Sequence, residues 1–478
     1  MQRGQDEIVD ELTQLKIERA KRRQRKEWEL KMMGKCISWL IYAYVAGIII
    51  TGLNYILLEK GFKYEGIVED SCQDFQTLKS VNDQIFPLLD ELTYKKYFKI
   101  FRVNLENDCP FSIGEYICTS RKCVICTCNT SEIPSNWLAP VSSPISQPKD
   151  DFAFWDSERY LSPSEWIWHV EDIENDKGVY VDLKLNPEAY TGYQGQHIWD
   201  VIYKENCYQG SLNEMCREKR ALNKLVQGLH TSISTQLSEF YVDLSTNRTY
   251  PNYSLYFERV GNHPERIRNL FFIYSVLLRA VILASPGIQK HDINSMSFEE
   301  DTRSKYLLNT ILSLGNSQCS KPFDEQQFFN QITFDQKKDY QRYIHNISKI
   351  MDCVECQKCR VFGKMQTYGL GTALKILFSE SPSEFSGKLK RNELVALINT
   401  FGKVSSSVNS IDLMFERRAR YYQNLILTIT IMGGVFILFM VAMRKIYSEM
   451  DKKIQNMFKG MPSDNPQKAN KNTKSKRD

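Results

Sequence analysis

The chain has little histidine. Six occur in 478 residues, at positions 169, 197, 230, 263, 291 and 345, and no two stand at a spacing that would place paired ligands on one metal. Without paired histidines or a second C-x-x-C, a tetrahedral zinc site has no ligand set. A fourth cysteine is missing after Cys353-Val-Glu-Cys356-Gln-Lys-Cys359, which argues against an iron–sulfur centre. No internal repeat of solenoid period is present, and strand-like alternation is scarce. A basic centre is absent too. The first 35 and last 35 residues carry 20 Lys/Arg against 11 Asp/Glu, and the rest has 42 against 46, a net of −4. Basic excess confined to short terminal arms argues against nucleic-acid binding.

Charge is wholly missing from two stretches. Residues 36–58 run 23 residues without a charged side chain, and residues 425–443 run 19. About 20 helical residues cross about 30 Å of hydrocarbon, so each is expected to be a transmembrane helix. The first is too long for a signal peptide and follows a 35-residue polar arm. That arm clusters Lys21, Arg22, Arg23, Arg25 and Lys26, while only Lys60 and Lys63 stand just beyond the apolar run. Positive flanks stay cytosolic. The expected layout is a cytosolic basic arm (1–35), a transmembrane helix (36–58), a luminal domain (59–424), a second transmembrane helix (425–443) and a cytosolic basic tail (444–478). The tail ends with Lys474 and Lys476 at dilysine-like positions, as in signals that retrieve membrane proteins to the endoplasmic reticulum.

Twelve of the thirteen cysteines lie between the two apolar stretches, as expected of an oxidising compartment. Four N-x-S/T sequons fall there as well, at Asn129, Asn247, Asn252 and Asn346, and are candidate glycosylation sites. Residues 5–33 interleave Glu with Lys/Arg at helical spacing and read as one exposed helix. From Cys118 to Asp151, prolines at 134, 140, 144 and 148 interrupt any period, so a mobile loop is expected. Beyond it, apolar residues recur at three and four spacing in RIRNLFFIYSVLLRAVIL, CREKRALNKLVQGLHTSISTQLSEFYV and GLGTALKILF. A single, mainly α domain is expected between the spans.

Cys356 and Cys359 stand three apart and can meet across one helical turn, with Lys358 and Arg360 as basic neighbours that would acidify a thiol. By spacing alone a redox pair, metal ligands and structural cysteines all remain open. Cys118 and Cys123 bracket Arg121 and Lys122 at the start of the expected loop. Thiol–disulfide exchange needs direct attack of sulfur on sulfur, so one pair on a loop and one in a helical core suit a relay. A loop stapled by its own disulfides fits the spacing equally.

Taken together these residues resemble the endoplasmic oxidoreductin family, across about residues 66–415. The blocks that carry the resemblance are IMDCVECQKCRVFGKMQTYGLGTALKILFS (350–379), YVDLKLNPEAYTGYQG (180–195), IWDVIYKENC (198–207), CREKRALNKLVQGLHTSIS (216–234) and RIRNLFFIYSVLLRA (266–280). The resemblance implies a helical fold holding FAD, with two dithiols in series. Cys356 and Cys359 would be the core pair, Cys359 nearest the flavin. Cys118 and Cys123 would be the shuttle pair that oxidises protein disulfide isomerase, with molecular oxygen as final acceptor and hydrogen peroxide as product. The family pattern pairs Cys109 with Cys353 and Cys207 with Cys216 as structural disulfides, and associates Cys128 with a regulatory one; Cys126 is an additional cysteine beside it. Thr191, Tyr193, Trp199, His230, Arg266 and Arg279 stand at the positions of FAD contacts.

The chain also departs from that pattern. Ala189 stands where the family usually has arginine, Gln227 where it usually has serine, and the gap from Tyr193 to Trp199 is shorter. Cys72, Cys126, Cys128 and Cys319 have no assigned partner. The function implied is that of a flavin-dependent thiol oxidase in the endoplasmic reticulum membrane. The competing reading is a non-catalytic, disulfide-stabilised ectodomain serving as receptor or scaffold.

Overall fold

The computed structural model describes residues 2–61, 74–109, 111, 124–138, 178–187, 196–207, 217–243, 245–325, 334–379 and 389–459. It divides into two units, Lys63–Arg417 and the combination of Met1–Phe62 with Arg418–Asp478. Nine long helices account for most of the described residues: α1 Gln2–Gly61, α2 Phe75–Tyr94, α3 Gln196–Asn206, α4 Arg217–Glu239, α5 Pro264–Leu283, α6 Phe298–Gln318, α7 Phe334–Met351, α8 Gln357–Leu377 and α9 Arg391–Lys459.

In the unit Lys63–Arg417, local chemistry sets the helix ends. The Asp74 carboxylate accepts the Thr77 amide at 2.7 Å and starts α2, and Ser297 caps α6 through the Glu300 amide. α2 buries Leu78, Val81, Ile85, Leu89 and Leu92, a three-and-four stripe, against α6. α5 and α8 are buried on nearly every face, which makes them the central helices. Two glycines allow the closest approaches. A Cβ on Gly228 of α4 would run into the Asn269 carbonyl and Ile273 of α5, and one on Gly369 of α8 would strike Thr400 and the Ala396 carbonyl of α9. The three helical patterns read from the sequence fall in α4, α5 and α8. The fourth-helix pattern runs short at its end, because Val242 leaves α4 for a strand.

Strands are few among the described residues. β1 Ile100–Val103 pairs antiparallel with β2 Val179–Asp182, and β3 Val242–Asp243 pairs with β4 Arg248–Thr249. The expected loop is partly regular. Thr127 bridges Val181, and the Cys128 amide donates to the Tyr180 carbonyl at 2.9 Å, so this limb extends the β1–β2 sheet. Asn186 clamps Cys126 from both sides, its Oδ1 accepting the amide and its Nδ2 donating to the carbonyl, each at 2.9 Å. Residues 118–123 and 139–177, the rest of the expected loop and the segment after it, lie outside the described residues. Farther on, Trp137 lies under the Arg391 guanidinium, 3.6 Å from Cζ to ring centre, and Arg391 donates to the Tyr97 and Ile100 carbonyls at 2.6 Å.

The other unit holds α1 and the C-terminal part of α9. Both helices are long and apolar enough to cross a membrane, through Gly34–Leu53 and within Arg391–Met450. Their apolar side chains point outward: Trp39 and Leu438 are 75% and 70% exposed. The helices touch where Tyr44 Oη donates to the Thr430 carbonyl at 3.0 Å. The Tyr44 ring occupies the space that a Cβ on Gly433 would need.

Candidate functional site

α8 starts at the cysteine pair. Cys356 is its N-cap, with extended backbone, and its sulfur accepts from the Cys359 amide at 3.5 Å. Cys359 Sγ donates to Cys356 Sγ across 2.7 Å. The pair therefore straddles the helix start rather than lying within the helix. Cys356 is buried and Cys359 half-buried. The hydrogen bond from the Cys359 thiol holds the Cys356 thiol below its ordinary range, against burial; the amides of Cys359 and Lys358 and the Lys358 charge add to it. A sulfur so placed is a good nucleophile and a good leaving group.

The segment before it is fixed by a disulfide between Cys109 and Cys353, the pairing that the family resemblance implies. Arg360 ties the same two segments together, donating to the Leu105 carbonyl at 2.6 Å and the Val354 carbonyl at 2.8 Å. Below lies an ion pair between Lys364 Nζ and Asp352 Oδ1 at 2.5 Å, with side chains 2% and 4% exposed. Burial raises the Asp352 carboxyl against the attraction of Lys364. An open cleft of about 370 Å³ borders the disulfide, with Glu106, Asp108, Glu355 and Arg360 in its walls.

A second cluster forms where α3, α4 and α5 meet. Trp199 and His230 stack at 4.2 Å and 12° between planes. Tyr203, one turn along α3, places its hydroxyl 3.1 Å from His230 Nδ1. Burial, then the charges of Arg266 and Arg259, push His230 well below its ordinary range, so the ring is neutral. Arg266 donates through Nη1 to the Arg259 carbonyl, and Asn269 donates to Gln227. Asn223 shares the α4 face of Gln227 and His230, and its Oδ1 is buried without a partner. Stacked aromatic faces beside guanidinium groups, with an orphaned buried acceptor, fit a planar heterocycle joined to phosphates. FAD has that chemistry.

The expected site residues divide accordingly. Trp199, His230 and Arg266 come together. Arg279 is not with them; it lies thirteen residues and about 20 Å farther along α5. Its guanidinium is paired with the Glu325 carboxylate at 2.6 and 2.8 Å and with the Ser320 carbonyl. Thr191, Tyr193, Ala189, Cys72, Cys118, Cys123 and Cys216 lie outside the described residues. Cys207 is enclosed at the end of α3, where burial pushes its thiol up to about 12, and its expected partner Cys216 lies outside the described residues. Cys126 is free and exposed. Cys128 is free and half-buried, pushed up to about 11 by burial and then by the Asp182 and Glu132 carboxylates.

Sequence reasoning missed Tyr203, Arg259, Asn269 and the Asp352–Lys364 pair. Tyr203 stands one helical turn from Trp199, a spacing that could have found it. Among the described residues no His/Cys/Asp/Glu group is arranged to hold a metal ion.

Comparison with known proteins agrees with this architecture. The family model described as Endoplasmic Reticulum Oxidoreductin 1 (ERO1) matches residues 84–411. Endoplasmic reticulum oxidoreductin-1 of Arabidopsis thaliana is 36% identical over 380 residues, covering 74% of this chain and 81% of the relative. ERO1-like protein alpha of Homo sapiens is 32% identical over 420 residues, covering 73% and 89%. Among solved structures, a cysteine-to-alanine double mutant of S. cerevisiae Ero1p aligns with TM-score 0.54 and 30% identity, covering 74% of this chain and 99% of that one.

Proposed function

Since this chain belongs to the Endoplasmic Reticulum Oxidoreductin 1 family, an oxidoreductase family, we propose that it is an FAD-dependent thiol oxidase of the endoplasmic reticulum that reoxidises protein disulfide isomerase. The observation that carries the reading is the Cys356–Cys359 pair at the start of a buried helix, with Cys356 held as the better thiolate. The net reaction converts one isomerase dithiol and one oxygen molecule into one disulfide and one hydrogen peroxide.

The chain's residues divide this work. A thiolate of reduced isomerase attacks the Cys118–Cys123 disulfide, and the second isomerase thiol resolves the mixed disulfide, leaving both shuttle cysteines reduced. A shuttle thiolate then attacks Cys356 of the oxidised core pair and displaces Cys359 as thiolate; the second shuttle thiol resolves the mixed disulfide, displacing Cys356 and re-forming the Cys118–Cys123 disulfide. In the return to the dithiol state, the α8 N-terminus and the Lys358 charge favour negative charge at Cys356. FAD, when bound, takes two electrons from the core pair and delivers them to molecular oxygen. Trp199, His230 and Arg266, with Thr191 and Tyr193, would hold it. Neutral His230 adds no further positive charge to the two guanidinium groups.

Two dithiols in series make a separable expectation. Cys118→Ala or Cys123→Ala should lower isomerase oxidation at least about a hundredfold while oxygen consumption with dithiothreitol persists, because a small thiol reaches the core pair directly. An oxygen electrode with the two substrates in parallel checks it. Isomerase oxidation at the unsubstituted rate in both variants would remove the shuttle from the reading.

Membrane anchoring by α1 and α9, with Lys63–Arg417 luminal and both termini cytosolic, completes the proposal. It has a direct readout in the sequons. Asn129 is exposed, and Asn247 is exposed on the turn between β3 and β4. Asn252 caps the Tyr253–Tyr256 turn, accepting the Leu255 amide at 3.0 Å. Asn346 lies inside α7 and donates through Nδ2 to buried Asn206 at 3.0 Å. Asn129 and Asn247 are therefore expected to carry glycans and Asn346 none. Endoglycosidase shifts of Asn→Gln variants measure this. A chain without any glycan would overturn the luminal placement; a glycan on Asn346 would show that α7 is unpacked when the transferase acts.

A further inference from the structure

The turn that delivers Cys356 to the start of α8 is short and tied at several points. The Asp352, Cys353 and Val354 amides donate back to carbonyls in the last turn of α7, at 3.0–3.2 Å. Cys353 is bonded to Cys109. Two residues, Val354 and exposed Glu355, then lead to the buried cap Cys356. The Val354 carbonyl is held by a side chain from beyond that cap. Arg360, one turn into α8, donates its amide to the Cys356 carbonyl at 2.8 Å and turns its side chain back over the helix start. Its Nε meets the Val354 carbonyl at 2.8 Å, and its Nη1 meets the Leu105 carbonyl at 2.6 Å.

One guanidinium therefore bridges the segment that carries Cys356 and the segment that carries Cys109. Both acceptors are neutral main-chain oxygens, so what the planar fork supplies is a fixed position. Disulfide formation between two thiols of one chain is favourable to the degree that the chain holds them together. Cys359 is held by α8 itself, whereas Cys356 has helix on one side only. Without the fork the Val354 carbonyl loses its partner, and the approach to the cap is freer. Leu105 and Arg360 line the open cleft, so water can satisfy both carbonyls once the fork is gone. The expected loss is one of order at the sulfur rather than of the fold.

We propose that Arg360 is a positioning residue of the core pair: by tying Val354 to Leu105 it holds the Cys356 sulfur where it can close on Cys359. The inference rests on the reading of these two cysteines as a redox pair. It extends that reading to the side chain that sets their effective concentration.

The test equilibrates full-length protein in detergent, under nitrogen, with glutathione buffers of graded ratio. Alkylation and peptide mass then read the state of Cys356 and Cys359. One glutathione disulfide oxidises the pair's two thiols to one disulfide and leaves two glutathione thiols, so the ratio at half-oxidation gives the equilibrium constant. Arg360→Gln, which lacks fork and charge, should lower that constant about tenfold, the factor expected on losing a charge-assisted hydrogen bond. The potential of the pair then rises by about 30 mV. Arg360→Lys keeps the charge but has one nitrogen in place of the fork, and should lose as much. Arg303→Ala, which removes an exposed two-bond pair with Glu91 on α6, should match the unsubstituted chain. An unchanged constant in both Arg360 variants overturns the proposal, even where thermal unfolding shows lost stability, since that would mark plain structural support. A loss in Arg360→Gln that Arg360→Lys restores also overturns it, because charge and not position would then be the active feature. If Arg360→Gln does not fold, the constant of Arg360→Lys decides alone. Unsubstituted protein in which Cys356 and Cys359 form no disulfide at any ratio would sink the parent reading itself, a result distinct from these.

Discussion

Cys356→Ala and Cys359→Ala are each expected to reduce oxygen consumption to background with every thiol substrate, isomerase and dithiothreitol alike, while FAD absorbance is retained. Disulfide exchange proceeds only by sulfur attacking sulfur, and the two sulfurs at the start of α8 are 2.7 Å apart. The loss should exceed a thousandfold. Cys356 is also the helix cap, and replacing a cap with alanine costs about 1 kcal/mol. Cys356→Ser separates the two effects, because serine is itself a preferred cap. It should restore the stability lost in Cys356→Ala and leave turnover at background. Normal turnover in any of these variants would end the assignment of the core pair. The flavin spectrum of each variant, recorded beside the oxygen electrode, shows whether the cofactor site survived.

Asp352→Ala is expected to destabilise the unit Lys63–Arg417 by about 3–5 kcal/mol, the usual cost of leaving one member of a buried ion pair without its partner. The Lys364 ammonium would remain at 2% exposure with no carboxylate beside it. A pair replaced as a whole costs far less, so Asp352→Leu with Lys364→Met should recover most of the loss. Chemical unfolding of the full chain in detergent measures both variants. If Asp352→Ala unfolds at the denaturant concentration of the unsubstituted protein, the ion pair contributes nothing to the floor beneath the cysteines. If the double variant is no better than the single, the loss comes from shape rather than charge.

The central helices were legible because their pattern is local. Leu270, Phe271, Ile273, Tyr274, Leu277 and Leu278 are packed closely enough in sequence to announce a helix buried on most sides, and α5 is that helix. The C-x-x-C spacing pointed to a shared turn but not to its place at the helix start, because nothing polar of the usual capping kind precedes it; the sulfur is the cap. Contacts between distant segments were out of reach. Asp352 meets Lys364 around the turn into α8, and Arg391 meets Trp137 across 254 positions. Residues 124–128 lacked strand alternation and stood near prolines, so they read as loop. Their regularity comes from β2, which supplies hydrogen-bond partners some fifty residues away. The expected pairing of Cys207 came from family pattern alone, without a local signal, and its other half, Cys216, lies outside the described residues.

The clamp that Asn186 places on Cys126, with the bridge from Thr127 to Val181, sets a tether length for what precedes it. A chain extends at most about 3.5 Å per residue. Covalent geometry holds the Cys123 Cα within about 4 Å of that of Val124, and Val124 is two residues from the clamp. A partner that exchanges disulfides with the proposed shuttle at Cys123 must therefore come up to the rim of the β1–β2 sheet.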